Sequence, residues 1–433
     1  MDIGIIGGGA SGMILAGMLN KHNVTLLERN NKLGKKLLLT GNGKCNFTNL
    51  SFENLDYIYN CNLAKELYKK YNNISFINYL HTLGIVAKVE THKNIKYVYP
   101  NNNKSTSVYY ALLDKILQNN VIIKYDTKVL DVEKNNNKFN VKCSDNNKYI
   151  FDVLVFATGG ASYIKTGSDG SAFNILKTIG HSISQIVPGL SPLSYEIEDV
   201  NLKKYNWTGF RVDANVKYIN DNTVSESGEI QFTKENLSGI PILNLSNKIS
   251  KKLVADNTKI DLHIDFSDAL INFDKIVNDN FAFEGNNKYE NRQDIVLSCL
   301  LERQSQIGYK RMEDFLCGYL PDELNEILFD RLSLKNKKVK DLTKDDLINI
   351  SNLITDFKVT IKNKFNFDNA QITIGGVRTD EVSADTLESK KIKNLYIIGE
   401  ALDIDGICGG YNLQMAYSTA TCVAEKLLNV KED

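Results

Sequence analysis

The residues best placed to do chemistry stand within the first thirty positions. Gly7, Gly9 and Gly12 follow the apolar run Ile3-Gly4-Ile5-Ile6 in the pattern G-x-G-x-x-G, with Gly8, Ala10 and Ser11 between them. A second apolar run, Val24-Thr25-Leu26-Leu27, ends on Glu28 and Arg29. A strand, a glycine turn, a helix and an acid-tipped strand in this register seat a dinucleotide. Gly7 permits the tight turn, Gly9 admits a pyrophosphate close to backbone, and Gly12 lets the helix lie near the strand. The helix N-terminus offers N–H groups and partial positive charge to phosphates. Glu28 is suited to accept from the adenosine ribose hydroxyls and would repel a 2′-phosphate, which points to FAD or NAD and away from NADP.

Three further glycine clusters have the same character. In Thr40-Gly41-Asn42-Gly43-Lys44-Cys45-Asn46-Phe47-Thr48-Asn49 two glycines bracket an Asn, and such a loop offers backbone N–H groups to a ligand. Ala157-Thr158-Gly159-Gly160 follows the apolar run Val153-Leu154-Val155-Phe156. Ligands of open α/β sheets sit at the carboxyl ends of strands such as this. Gly399-Glu400 ends a third run, Leu395 to Ile398, and the acid can bind ribityl hydroxyls. Asp405-Gly406 and Gly409-Gly410-Tyr411-Asn412-Leu413-Gln414 then precede an apolar-periodic stretch. A helix starting there would turn its N-terminus to a flavin's pyrimidine edge and stabilise the negative charge of the reduced ring. Cys408 and Tyr411 are the reactive side chains of this cluster and the candidate catalytic residues, with a small packing role as the competing reading for Cys408.

These clusters need elements that bring them together. The run Val153 to Phe156 is continuous rather than alternating, as in a strand buried on both faces of a parallel sheet. Residues 60–83 and 106–118 read as helical from apolar spacing, and Lys138–Val141 with Lys148–Phe151 read as a hairpin. Beyond Pro188 the texture becomes alternating, with strands read at Phe210–Val216, Glu229–Phe232 and Leu262–Phe266, then mostly helical over 267–350. Gly-rich punctuation returns from 371. The expected organisation is a nucleotide domain split between 1–189 and 371–433. Between these lie a β-rich insertion at 190–266, a helical domain at 267–350 and a return strand of the insertion at 351–370.

Lys+Arg and Asp+Glu are both 52, so the chain carries no basic excess and a nucleic-acid or membrane-surface partner is not expected. No apolar stretch approaches the length of a membrane span. The N-terminus runs directly into a structural strand, which leaves no room for a signal peptide. Seven scattered cysteines, without a C-x-x-C, fit a reducing cytoplasm rather than a disulfide framework or zinc site. The five histidines (His22, His81, His92, His181 and His263) lack metal-ligand spacing, and no metal is expected. Trp207 reads as a packing residue of the insertion, with Trp207-Thr208-Gly209 as a possible pocket border. Tyr97-Val98-Tyr99-Pro100 reads as a strand edge.

The four clusters together resemble the YhiN, aminoacetone-oxidase-like and BaiN family of bacterial FAD-dependent oxidoreductases. The most specific pieces are Thr40 to Asn49 and Gly406 to Gln414. The resemblance implies an α/β fold. It combines a Rossmann-like FAD-binding domain of glutathione-reductase type, an inserted β-barrel-like module and a small helical domain. It implies non-covalent FAD, with Gly7 to Gly12 on the pyrophosphate, Glu28 on the adenosine ribose and Lys36 near the cofactor. Val129 would meet adenine through its backbone, while Gly399-Glu400 and Gly409 to Gln414 would hold ribityl and ring. The chain departs from the family pattern at Lys44, where Arg is usual, and at Ile164 and Ile240, where Pro is usual. In Thr233-Lys234-Glu235-Asn236-Leu237-Ser238-Gly239, Lys234 replaces a His and Asn236 a Gly. The expected activity is an FAD-dependent oxidoreductase acting on a small molecule in a pocket between nucleotide domain and insertion. Reduction of an activated C=C bond is favoured over amine oxidation. An RNA modifier and a non-catalytic flavin protein are the readings from other classes. Only one dinucleotide fingerprint is present, so NAD(P)H would bind transiently, without a Rossmann domain of its own.

Overall fold

The computed structural model describes residues 1–92, 95–196, 209–219, 224–256, 259–277, 292–362 and 367–429. Trp207 and Thr208 lie outside the described residues. The chain divides into two compact units, Met1–Gly189 with Asn366–Asp433, and Leu190–Phe365.

The first unit is built on five parallel strands: β1 (Asp2–Ile6), β2 (Asn23–Leu27), β3 (Ile122–Lys124), β4 (Val153–Phe156) and β5 (Leu395–Ile397). Their order is β5-β4-β1-β2-β3. Every residue of β4 is buried, as its unbroken apolar run requires in the middle of a parallel sheet. Gly4 in β1 leaves space for the Phe151 ring, which would lie 2.4 Å from an added Cβ. Ile6 is level with Leu27 on one side and Phe156 on the other, and Phe156 with Ile397. This register aligns the carboxyl ends of four strands, so Gly7, Glu28, Ala157 and Ile398 emerge side by side. Helix α1 (Ala10–Met18) follows the first glycine turn and packs against α2 (Tyr411–Leu428), the last helix.

Residues 60–83 form two helices, Asn62–Lys70 and Asn73–Thr82, rather than one. The break is at Asn72, whose side chain accepts from the Ser75 N–H and starts the second helix as its N-cap. Ile95–Pro100 is the central strand of a three-stranded sheet between Thr48–Asn49 and Ala87–His92, not an edge. The strands Lys138–Cys143 and Lys148–Phe151 pair as a hairpin.

The second unit holds a closed six-stranded barrel. In order its strands are Leu193–Glu196, Asn236–Ser238, Val224–Phe232, Arg211–Tyr218, Ile260–Asp265 and Phe357–Ile361. Along Arg211–Tyr218 the buried residues are Val212, Ala214, Val216 and Tyr218, the period-2 pattern of a strand with one face inward. A helix, Ile240–Asp256, lies inside the stretch read as alternating strands. Its buried Ile242, Leu245, Ile249 and Leu253 recur at three- and four-residue spacing, a helical period that the neighbouring strands masked. Among the described residues four more α-helices follow: Asp268–Val277, Arg292–Ile307, Asp322–Arg331 and Lys344–Thr355. Among the described residues no helix is long and apolar enough to cross a membrane.

Candidate cofactor site

The site is assembled where the strand ends converge. Gly7 turns with φ +101° and donates its N–H to Leu27 O at 2.9 Å. A Cβ on Gly12 would lie 2.0 Å from Gly7 O, so strand and helix touch through bare backbone. A Cβ on Gly9 would meet nothing within 4 Å. Gly7 and Gly12 are therefore closed by the protein, whereas Gly9 faces open space. Gly9 is also the N-cap of α1, without a side-chain cap or an acid in the first turn. Gly410 caps α2 in the same bare way, in the left-handed region at φ +87°. Both helices thus present uncapped N–H groups.

Glu28 is buried, and its carboxylate is already engaged. Oε2 accepts from Gly8 N at 2.8 Å, and Oε1 accepts from Asn30 N at 2.8 Å and Asn30 Nδ2 at 2.7 Å. A carboxylate has about four lone-pair directions, so roughly one is left for a ligand hydroxyl. Glu28 thus fixes the glycine turn. Thr127 N donates to Glu28 O at 2.8 Å, which lays the stretch leading to Val129 along the end of β2. Arg29 turns outward into an ion pair with Asp169 at 2.6 Å.

At the other end Lys36 Nζ lies 2.7 Å from Glu400 Oε2 and 2.8 Å from Ser162 Oγ. Glu400 Oε1 accepts from Thr373 N at 2.6 Å. Thr373 Oγ1 in turn accepts from the N–H groups of Ala161 and Ser162, and Gly160 has no Cβ to obstruct it. Gly399 sits against Ser11, whose Oγ would lie 2.6 Å from an added Cβ. Thr158 Oγ1 is buried with no hydrogen-bond partner among the described residues.

The second and fourth glycine clusters interlock. Thr48 Oγ1 donates to Gln414 Oε1 at 2.7 Å, and Asn49 Nδ2 to Gly409 O at 3.1 Å. Asn46 Nδ2 donates to Thr48 O and Val98 O. A Cβ on Gly410 would press on Thr48 O at 2.8 Å. Asn412 closes its own loop, bonding both Gly406 N and Gly406 O. Asp405 is buried, with Oδ2 accepting from Asn60 Nδ2 at 2.6 Å. Gly41, Asn42, Gly43 and Cys45 all have positive φ, which makes the first of these loops a tight left-handed coil. Lys44 is exposed, Leu413 half-buried, and Lys234 is exposed at a barrel turn.

Burial pushes the Cys408 thiol up to about 11, so it is uncharged at neutral pH, and the thiolate is the reactive form. Tyr411 is buried, its hydroxyl donates to Ser51 O at 2.8 Å, and burial raises its pKa far above the ordinary range. Asn30, Ser162 and Thr373, which hydrogen-bond to Glu28, Lys36 and Glu400, were not singled out by sequence reasoning. Asn30 had a signal, since it stands two residues after Glu28; Ser162 and Thr373 had none, because their partnership spans the whole second unit.

An orphaned buried hydroxyl, two bare helix N-termini and one glycine facing open space fit a dinucleotide cofactor. Comparison with known proteins gives the same direction. A family model described as HI0933-like protein Rossmann domain matches residues 1–426. Over 431 residues the chain is 30% identical to a 3-dehydro-bile acid delta(4,6)-reductase of Clostridium scindens, covering 96% of each. It is 26% identical over 438 residues to a ribosomal RNA dihydrouridine synthase of Escherichia coli, covering 99% of this chain and 98% of that one. Among solved structures, a 3-ketosteroid delta1-dehydrogenase of Sterolibacterium denitrificans aligns over 98% of this chain and 99% of that one, at 10% identity and TM-score 0.48.

Proposed function

The chain belongs to the HI0933-like family of FAD-dependent oxidoreductases, and from that premise we propose that it reduces a C=C bond conjugated to a carbonyl, with NAD(P)H as electron donor. The observation that carries this reading is the near-full-length similarity to a protein named as a delta(4,6)-reductase. Bound FAD supplies the two-electron redox chemistry. The protein's own residues bind and orient. Gly9 and the N-terminus of α1 take the pyrophosphate, and Glu28 gives its remaining lone pair to the adenosine ribose. Glu400, held by Lys36 and Thr373, would accept from ribityl hydroxyls. The N-terminus of α2 offers its N–H groups to developing negative charge at the ring edge. Gly41 to Thr48 wall this end.

A second reading is favoured by the similarity to a ribosomal RNA dihydrouridine synthase. Saturating the uracil ring is also reduction of a C=C conjugated to a carbonyl, so the site chemistry would be shared and only the substrate would differ. One anaerobic stopped-flow experiment separates the possibilities. NAD(P)H should bleach the bound flavin, and a small enone should restore it. Restoration by uridine-containing ribosomal RNA alone would favour the second reading. Bleaching by an amine, with no response to NAD(P)H and recovery only in oxygen, would mean an oxidase.

A further inference from the structure

We propose that the loop Gly160–Gly170 is a strap that couples the two ends of the dinucleotide groove and sets the rate at which FAD leaves. The inference rests on the FAD reading above. The loop is closed on itself at its base, where Gly170 N donates to Gly160 O at 3.1 Å and Ser168 Oγ to the same oxygen at 2.9 Å. Compact surface loops with joined ends behave as units.

One flank of the strap is held in the Glu400 cluster. Ala161 N and Ser162 N donate to Thr373 Oγ1 at 2.7 and 3.1 Å. Ser162 Oγ accepts from Lys36 Nζ at 2.8 Å and stands 3.3 Å from Glu400 Oε1. Ser162 is wholly buried. The other flank is held beside Glu28. Asn30 Nδ2 donates to Thr166 O at 2.9 Å and to Glu28 Oε1 at 2.7 Å, so one amide grips strap and ribose acid together. Arg29 donates to Gly167 O at 3.1 Å and pairs with Asp169 at 2.6 Å. Gly167, at φ +97°, passes so close that a Cβ would lie 2.4 Å from Asn30 Nδ2. Between the flanks Tyr163 adopts φ +55° and is fixed by its N–H to Phe367 O at 3.0 Å. A single short segment therefore bonds to the groups at both ends of the groove. Loosening one end frees the other.

The test is FAD release from the holoprotein, followed by the fluorescence of free FAD after dilution. Asn30→Ala removes hydrogen bonds to a charged group and should speed release about tenfold or more. Asp169→Asn touches neither Glu28 nor the glycine turn and, as a part-exposed pair, should speed it about two- to fivefold. Coupling is read from Asn30→Ala combined with Ser162→Ala. If the strap joins the ends, the double variant releases FAD more slowly than the product of the single effects requires, because the first loss already frees the second end. Strictly multiplicative rates, or unchanged release in Asn30→Ala and Asp169→Asn, overturn the strap. A wild-type protein that releases a nucleotide other than FAD overturns the FAD reading instead, and the strap with it.

Discussion

At the scale of single residues, the glycines of one motif do different jobs, and a methyl group distinguishes them. Gly12→Ala drives a Cβ into Gly7 O and should destabilise the protein by about 1–3 kcal/mol. Gly9→Ala meets open space at a φ of −74° and should leave stability within about 0.5 kcal/mol while weakening FAD binding. Thermal unfolding of apoprotein and an FAD titration check both halves; equal loss of stability in the two variants would show that Gly9 is a packing glycine. Glu28→Ala should weaken FAD by about tenfold or more, since hydrogen bonds to charged groups contribute about 1.5–3 kcal/mol. It should also lower the melting point, because Gly8 and Asn30 lose their acceptor. Loss of affinity without loss of stability would mean that the carboxylate's internal bonds matter little. The glycine motif and Glu28 were legible in the sequence because their partners lie within thirty residues. The bonds that consume most of Glu28's capacity were not legible, since Asn30 is an ordinary turn residue until its amide is seen to point back.

At the scale of elements, the segment after the helix Ser171–Thr178 is locked to the loop before β5 by His181. His181 Nδ1 lies 2.9 Å from Glu381 Oε2, and Ser389 Oγ lies 3.0 Å from His181 Nε2. The order of a hydrolytic triad is present, yet the imidazole is wholly buried, and Ser389 Oγ accepts the N–H groups of Lys391 and Ile392. With both lone pairs taken, Ser389 donates to Nε2, which requires neutral His181. Burial holds the imidazole below its ordinary 6.5, outweighing the pull of Glu381. Burial pushes Glu381 upward too, but the hydrogen bonds from Lys391, Ser182 and His181 outweigh it and hold the carboxyl at about 2. Below pH 6.5 the unfolded chain binds a proton that buried His181 resists, so stability falls as the pH drops through that value. Glu381 adds a further loss from pH 4.5 down toward 2. Melting points measured from pH 8 to 5 should decline, and His181→Gln, whose amide can serve both neighbours, should flatten the decline. An unchanged slope would place the acid sensitivity elsewhere. Four of the five parallel strands were legible from their apolar runs, whereas the three-residue edge strand Ile122–Lys124 was too short to show, the helix Ile240–Asp256 was hidden among alternating neighbours and the split at Asn72 by a continuous periodicity.

At the scale of the whole molecule, the chain carries one dinucleotide fingerprint. On the proposed reading, a nicotinamide donor without a domain of its own would share the space over the flavin with the substrate, and the two would take turns. Steady-state kinetics should then be ping-pong, with parallel double-reciprocal lines and competition between high substrate and NAD(P)H. Intersecting lines, with a ternary complex seen in binding, would mean a separate nicotinamide site. The return of the chain to its first unit was readable from the reappearance of Gly-rich runs after 371. The pairs that complete the site were not readable, because partners such as Thr48 and Gln414 are separated by 366 positions.

That separation has a consequence in time. At about 5–20 residues per second, a ribosome that has just made Gly12 needs roughly 20–80 s to reach Gly410. Throughout that interval the glycine turn exists without α2, and for nearly all of it without Glu400 and the last strand beside β4. A polypeptide halted before the final thirty residues should stay colourless however well its barrel folds, and yellow colour should mark only chains whose synthesis has run through α2.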